Sequence, residues 1–161
     1  MSLVAKLLSP SHVVLDLQVS SKKRLFEQVG LLFENHDGIA RSLVFDSLFA
    51  RERLGSTGLG QNVAIPHGRI KGLKEALGAF LRLAQPVPFD APDGNPVNLV
   101  FVLLVPEKAT EKHLQLLSEL AQMFCDKALR EAMMQAQDAQ ALHELVTSWR
   151  PDASGQRRAA A

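Results

Sequence analysis

The sequence predicts a single α/β domain in which helices pack on a few buried strands. The chain has 161 residues, of which 47% are hydrophobic and 22% are charged, an ordinary balance for one globular domain. Segments with helical periodicity alternate with short apolar runs along the chain, a pattern typical of helices layered on a sheet. At this length roughly 70% of the unfolded chain's surface can be buried, so the core needs no disulfide or metal.

Two helices are predicted in the first third of the chain, at residues 21–35 and 41–54. Apolar residues at three- and four-residue steps give each helix one buried side. Arg51 lies on the same side of the second helix as Val44 and Leu48, so it stands at the end of a buried stripe. The residues able to cap the start or end of the first helix are Ser20, Ser21, Asp37 and Gly38.

Strands are predicted at 63–65, 76–83 and 97–105, although propensity alone also allows a helix at 76–83. Residues 97–105, VNLVFVLLV, form a continuous β-branched and apolar run. Such a run suits a central strand that is covered on both faces. Residues 85–96 hold four prolines and an Asp-Gly pair, which is typical of a loop.

Three further helices are predicted to complete the domain, at 110–124, 128–136 and 139–149. We expect the domain to occupy residues 1–150, followed by a disordered tail over residues 151–161. The apolar stripe expected on the first of these helices consists of Leu114, Leu117, Ala121 and Phe124.

The charge balance and the cysteine count exclude several classes of function. A net charge of +1, with no basic run before the tail, argues against a nucleic-acid partner. No apolar stretch approaches the ~20 residues needed to span a bilayer, and the N-terminus lacks a signal-peptide pattern. We therefore expect a cytoplasmic protein that is not embedded in a membrane. One cysteine and no close Cys/His cluster predict no intrachain disulfide, no metal and no cofactor.

The stretch RERLGSTGLGQNVAIPHGRIKG, residues 51–72, concentrates glycines ahead of a single histidine. Gly55, Gly58 and Gly60 permit positive φ and let backbone amides approach an anion closely. The stretch matches neither a P-loop nor GxGxxG, because the required lysine and spacing are missing. The glycines alone therefore leave two interpretations open, an anion-binding loop and a tight turn between a helix and a strand.

His67 follows the short strand predicted at 63–65 and stands between Pro66 and Gly68. A neutral imidazole has one nucleophilic nitrogen, which can take and return a phosphoryl group. Such a transfer requires in-line positioning and donors that hold the charged oxygens. The phosphate-binding donors that we expect are the Arg51 guanidinium, the hydroxyls of Ser56 or Thr57, and the backbone at Gly58, Gly60 and Gly68.

His113 is the second candidate, since it falls in the first turn of the helix predicted at 110–124. A helix N-terminus favours anions and disfavours imidazolium, so a neutral His113 can donate one hydrogen bond to a phosphoryl oxygen. The alternative is a histidine that bonds only to a nearby backbone group, and the spacing does not decide between the two.

The segments ARERLGSTGLGQNVAIPHGRIKGL and EKHLQLLSELAQMF resemble the enzyme IIA components of the bacterial sugar phosphotransferase system, fructose–mannitol class. The similarity covers residues 5–149, and the GSTG motif is most similar to that of the nitrogen-regulatory branch. The resemblance implies a mixed β-sheet flanked by helices on both faces, in a single three-layer domain. One difference is Asn62, where the family commonly has glycine; asparagine tolerates the left-handed conformation, so the turn can survive.

The resemblance also implies a function. His67 would accept phosphate from a histidine-containing phosphocarrier protein, on the ring nitrogen remote from the backbone, with Arg51 and His113 in supporting catalytic roles. The phosphorylation state would then be a signal to regulated targets, such as potassium-transport or sensor-kinase proteins. Two alternatives stay open: a sugar-specific IIA that passes phosphate to a IIB domain, and a protein-binding regulator of the same fold without phosphotransfer.

The remaining reactive residues are assigned no chemistry. Cys125 ends an apolar stripe and is expected to be buried filler. Glu52 could orient Arg51 or Arg53, although an exposed ion pair worth under ~1 kcal/mol is the commoner outcome. Structural or solvent-facing roles are expected for three histidines, His12, His36 and His143.

Overall fold

The computed structural model describes residues 2–108 and 111–151, which form a six-stranded sheet with helices on both faces. The strand order is β1-β5-β6-β3-β2, and β4 also pairs with β6. β6 runs antiparallel to β5 but parallel to β3 and β4, so the sheet is mixed, as predicted. The strands are β1 (Val13–Leu17), β2 (Gly58–Gly60), β3 (Val63–Ala64), β4 (His67–Ile70), β5 (Leu77–Val87) and β6 (Val97–Pro106).

The central strand β6 explains why the fold has three layers. Its buried side chains alternate between two hydrophobic clusters, with Leu103 and Val105 in the first and Val102 and Leu104 in the second. Successive side chains on a strand point to opposite faces, so a run in which every residue except Asn98 is apolar needs cover on both sides. The prediction of a central strand at 97–105 is confirmed.

The helices divide between the two faces of the sheet. α2 and α3 supply the second hydrophobic cluster, whereas α1, α4, α5 and α6 supply the first, which confirms the predicted three-layer α/β class. A short 3₁₀ turn, Pro10–His12, leads into β1. The helices are α1 (Leu3–Leu7), α2 (Lys22–Asp37), α3 (Arg41–Glu52), α4 (Glu111–Phe124), α5 (Lys127–Gln135) and α6 (Ala139–Ser148).

Side chains cap several of the helices. The Ser21 hydroxyl accepts a hydrogen bond from Arg24 N at 3.1 Å to start α2, and Gly38 ends this helix at φ 70°. The start of α1 is held differently: the buried Glu119 carboxylate of α4 accepts hydrogen bonds from the backbone N–H of Leu3 at 3.1 Å and of Val4 at 2.8 Å. The first helix is thereby attached to α4.

Several predicted boundaries differ from the structure, and two of the differences change how the sheet is built. β5 continues to Val87, so the loop expected from residue 85 begins at residue 88. Pro86 is tolerated because the pairing of β5 with β6 is irregular between Arg82 and Val87. His67 was predicted to follow a strand at 63–65, but it is itself the first residue of a further strand, β4.

The apolar stripe predicted on α4 is wrong in part. Leu114 is 65% exposed, and the stripe runs one residue earlier because the helix buries a set that begins with His113. Cys125, predicted as buried filler, is exposed in the turn after α4. Thr110, the predicted start of this helix, lies outside the described residues. The buried residues of α4 are His113, Leu116, Glu119, Leu120, Met123 and Phe124.

The predicted tail covers residues 151–161, of which residues 152–161 lie outside the described part of the chain. Among the helices that are described, none is both long enough and apolar enough to cross a membrane.

Candidate functional site

β4 directs two side chains toward α4. The strand pairs in parallel with β6, with His67 opposite Leu103 and Arg69 opposite Val105. Leu103 and Val105 belong to the cluster that α4 covers. Because paired residues of neighbouring strands share a face, His67 and Arg69 leave the sheet on the α4 side.

Gly68, between them, points to the opposite face and lies against α3. A β-carbon at this position would overlap the Ser47 hydroxyl and lie 3.1 Å from the Ser47 backbone carbon. The Ser47 hydroxyl in turn donates a hydrogen bond to the Arg69 carbonyl at 2.8 Å. The absence of a side chain at Gly68 therefore lets α3 pack closely on β4 and fixes the strand that carries His67.

The backbone before β4 fixes the tautomer of His67. The His67 Nδ1 atom lies 2.9 Å from the Ile65 carbonyl oxygen. A carbonyl oxygen only accepts, so Nδ1 carries the hydrogen and Nε2 carries the lone pair of the neutral ring. Within the described residues, Nε2 has no hydrogen-bond partner, and the half-buried ring borders an open cavity. The site thus presents one nucleophilic nitrogen to solvent.

His113 faces this ring from the first turn of α4. The two ring centroids lie 5.3 Å apart, with an angle of 56° between the ring planes. His113 is buried, and its Nδ1 atom has no hydrogen-bond partner among the described residues. The alternative interpretation, a histidine that serves only to bond a backbone group, has no support within this part of the chain.

Both imidazoles favour the neutral state. Burial lowers the pKa of His67 and the Arg51 charge lowers it further, against the opposing effects of the Ile65 hydrogen bond and the Glu52 carboxylate. Burial also lowers the pKa of His113, followed by the charges of His67, Arg69 and Arg51. Desolvation and nearby cations both disfavour imidazolium. At neutral pH the site therefore holds two uncharged rings beside cationic side chains.

The cavity of about 650 Å³ brings together residues from three elements. Arg51 comes from the end of α3, His67 from β4 and His113 from α4. The Arg51 guanidinium donates to the Gly55 carbonyl at 2.8 Å, which uses one of its five N–H groups. Among the described residues it forms no ion pair, so its charge and remaining donors can act on an anion in the cavity.

The glycine-rich segment lies mostly away from this cavity. Gly68 lines it, whereas the other four residues predicted to bind phosphate do not. The Ser56 hydroxyl donates to the Phe89 carbonyl at 2.5 Å, and the Thr57 hydroxyl and backbone N–H both donate to Glu52. The hydroxyls at 56 and 57 and the Thr57 amide are already used inside the protein. The four residues are Ser56, Thr57, Gly58 and Gly60.

Glu52 is neither an exposed ion pair nor a direct partner of Arg51 or Arg53, in contrast to both predictions. It is buried, and it accepts the Thr57 hydroxyl at 2.6 Å, the Thr57 amide at 2.9 Å and the Lys22 ammonium at 3.1 Å. The Lys22 ammonium also donates to the Phe89 carbonyl at 3.2 Å. This buried ion pair ties α2 and α3 to the loop that follows Arg51.

The glycine-rich segment also contains a hairpin turn between β2 and β3. Gln61 and Asn62 have φ values of 57° and 66°, and a turn with two positive φ values suits the twist of paired strands. The Asn62 amide donates to the Pro96 carbonyl at 2.8 Å. Asparagine therefore adopts the left-handed conformation at this position, as expected, and its side chain faces a loop instead of the cavity.

The other histidines lie outside the cavity. His12 Nε2 lies 2.6 Å from the Asp37 carboxylate, and His143 Nε2 lies 2.9 Å from the Leu8 carbonyl. Within the described residues, no group of three or more His, Cys, Asp or Glu side chains could hold a metal ion.

Arg69 lines the cavity beside His67, although it was not among the site residues predicted from the sequence. The alternation of HGRI, with glycine and isoleucine buried and histidine and arginine less buried, was the signal that could have revealed it.

Comparison with known proteins identifies the family. The family described as "Phosphoenolpyruvate-dependent sugar phosphotransferase system, EIIA 2" matches residues 6–149. A solved structure of "Nitrogen Regulatory Protein IIA-Ntr" from Neisseria meningitidis is 55% identical, with a TM-score of 0.86, over 91% of this chain and 100% of that chain. The "Nitrogen regulatory protein" of Pseudomonas aeruginosa is 43% identical over 148 residues, which are 88% of this chain and 92% of the relative.

A second "Nitrogen regulatory protein", from Bradyrhizobium diazoefficiens, is 36% identical over 143 residues, which are 89% of this chain and 94% of the relative. A chain with this sheet and this matched span is a phosphotransferase component of the IIA type. It belongs to the EIIA 2 family of the phosphoenolpyruvate-dependent sugar phosphotransferase system. The resemblance drawn from the two histidine motifs, including its nitrogen-regulatory branch, is confirmed.

Proposed function

We propose that this protein is a stoichiometric phosphoryl carrier that accepts phosphate on His67 and signals through its phosphorylation state. The supporting observation is that Nδ1 of His67 bonds to the Ile65 carbonyl, which leaves Nε2 as the nucleophile beside Arg51 and His113. The donor is a histidine-containing phosphocarrier protein. The similarity to relatives called nitrogen regulatory proteins supports a regulatory role for the carrier.

The transfer is a balanced exchange between two imidazoles. The Nε2 lone pair of His67 forms a bond to phosphorus as the P–N bond of the donor breaks, and that electron pair returns to the donor's ring nitrogen. Nδ1 keeps its hydrogen in the bond to the Ile65 carbonyl, 2.9 Å away, which stabilises the positive charge that develops on the His67 ring. No external acid, base or metal ion is needed for this step.

The neighbouring groups hold the phosphoryl oxygens. Phosphoryl transfer depends on positioning and on donors aimed at the charged oxygens more than on covalent chemistry. Arg51 offers unused guanidinium N–H groups, and a neutral His113 offers one ring N–H. The lowered pKa of His113 keeps this ring neutral until a phosphate arrives, and the phosphate charge then favours its protonation.

The signal arises from charge placed at a partly apolar surface. A phosphoryl group adds up to about two negative charges at neutral pH. It would lie in a cavity that Leu43 and Leu54 also line, and Leu54 is 84% exposed. A partner that packs on these leucines would bind the free and phosphorylated forms with different affinity. We propose cytoplasmic target proteins, with potassium-transport and sensor-kinase proteins as the first to test.

The test is phosphorylation by a phosphohistidine-bearing phosphocarrier, followed by intact-mass and peptide analysis. We expect one acid-labile, alkali-stable phosphoryl group on His67 Nε2. His67→Ala should abolish it, His113→Ala should slow it, and His143→Ala should leave it unchanged as the matched control. Unchanged labelling of His67→Ala would overturn the proposal. Transfer of the label to a sugar-specific IIB domain would instead support the sugar-transport alternative.

A further inference from the structure

We propose that Arg69 is a second guanidinium that binds the phosphoryl group on His67. This inference rests on the proposed function, and it assigns a phosphoryl-binding residue that lies outside the residues expected from the two histidine motifs. Arg69 would contact phosphoryl oxygens directly and act with Arg51 on the two negative charges of the group.

The strand geometry places Arg69 beside His67. Residues two apart on a strand share a face and lie about 6.6 Å apart along it, which is within reach of an arginine side chain. Arg69 and His67 pair with Val105 and Leu103 of β6, so both leave the sheet on the α4 side, and both line the cavity that His113 borders.

The backbone and the side chain of Arg69 are both held in place. Its carbonyl accepts the Ser47 hydroxyl at 2.8 Å, which ties this strand position to α3. Its guanidinium donates one hydrogen bond, at 3.3 Å, to the backbone carbonyl of Glu107. A guanidinium has five N–H donors, so four remain for an anion in the cavity.

The charge of Arg69 is not neutralised by its neighbours. Among the described residues, no carboxylate lies within ion-pair distance of Arg69, although Asp46 and Glu107 also line the cavity. Among the described residues, the other cationic side chains that line this cavity are those of Arg51 and Lys71. The positive charge of Arg69 also contributes to the lowered pKa of His113, a ring that borders the same cavity.

The two guanidiniums approach the cavity from different elements. Arg51 comes from the last turn of α3, and Arg69 from β4. One planar donor from each element can engage different oxygens of a tetrahedral group, whereas Arg51 alone would leave part of the dianion's charge unmatched.

The experiment compares Arg69→Ala, Arg69→Lys and Lys71→Ala in single-turnover transfer from the phosphorylated phosphocarrier. Lys71→Ala is the matched control, because it removes the same charge from the lining of the same cavity two residues farther along the chain. We expect Arg69→Ala to lower the transfer rate constant at saturating donor roughly 100-fold, as loss of one oxyanion donor does elsewhere. Arg69→Lys should recover part of the rate, and Lys71→Ala should stay within about threefold of wild type.

Two outcomes would overturn the proposal that Arg69 binds the phosphoryl group. One is an Arg69→Ala rate constant equal to that of Lys71→Ala. Another is a defect of Arg69→Ala that is seen only at low concentrations of the donor protein and that disappears at high salt. Such a result would mean that Arg69 binds the donor protein and not the phosphoryl group. Circular dichroism and thermal unfolding of each variant exclude a folding defect. Failure of the wild-type protein to become phosphorylated would sink the proposed function itself, a result that is separate from these.

Discussion

The ring centroids of His67 and His113 lie 5.3 Å apart, although the two residues belong to an edge segment of the sheet and to a helix from the next layer. The parallel register of β4 on β6 turns His67 toward α4, and the buried face of α4 turns His113 toward β4. Burial lowers the pKa of His113 most, and the charge of a protonated His67 would lower it further. We therefore expect the pH response of transfer to depend on both histidines.

The rate of transfer to His67 should fall on acidification, with a midpoint below the ordinary histidine pKa of ~6.5. Only the neutral ring has a lone pair on Nε2, and burial followed by the Arg51 charge lowers the pKa at which this ring is protonated. Arg51→Gln should move the midpoint to higher pH, in addition to slowing the reaction. The measurement is the transfer rate constant against pH at saturating donor.

A midpoint that stays in place in Arg51→Gln would contradict the electrostatic part of this prediction. Lys74→Gln removes a charge from a lysine that does not line the cavity, so it serves as the control for net charge and should leave the midpoint unchanged.

Gly68→Ala should destabilise the fold by about 1–3 kcal/mol, the usual cost of forcing extra volume into a packed site. The new methyl group would overlap the Ser47 hydroxyl and press on the Ser47 backbone. Ser47→Ala removes the nearest of these atoms, so the double variant should recover part of the loss relative to Gly68→Ala. Urea unfolding of the three variants measures the coupling between the two positions. Strictly additive effects would mean that α3 and β4 do not meet in this way.

Glu52→Gln should lower the free energy of unfolding by about 1–3 kcal/mol, because it leaves the Lys22 ammonium without its buried counter-charge. The loop that follows α3 should also become less ordered, since Thr57 loses a charged acceptor for two hydrogen bonds. Glu27→Gln breaks an exposed pair with Arg24 and should cost under ~1 kcal/mol. Denaturant unfolding compares the two, and equal losses would contradict the buried role of Glu52.

Much of the architecture could be predicted from the sequence. Every residue of the run at 97–105 except Asn98 is apolar, a pattern typical of a strand covered on both faces. The start of α2 at Ser21 and its end at Gly38 follow from local capping chemistry. Such features depend on a few neighbouring residues, which is why a single sequence contains them.

The parts that could not be predicted depend on contacts between distant residues. β4 has four residues, and it exists because β6 pairs with it and α3 packs on Gly68. The environment of Glu52 depends on Lys22 and Thr57, which the sequence gives no reason to bring together. The alternation of HGRI places Arg69 on the same face as His67, but only the register of β4 on β6 shows that this face is turned toward α4.

The attachment of α1 to the Glu119 carboxylate has a practical consequence for handling the protein. Glu119 belongs to the same helix as His113, so deleting residues 2–7 would strip this carboxylate of the two backbone donors that it holds. Truncation at that end would then disturb the helix that carries His113, and slower phosphorylation of a truncated protein could be mistaken for an effect on the phosphoryl-transfer step itself. Purification handles and fluorescent labels are better fused at the other terminus.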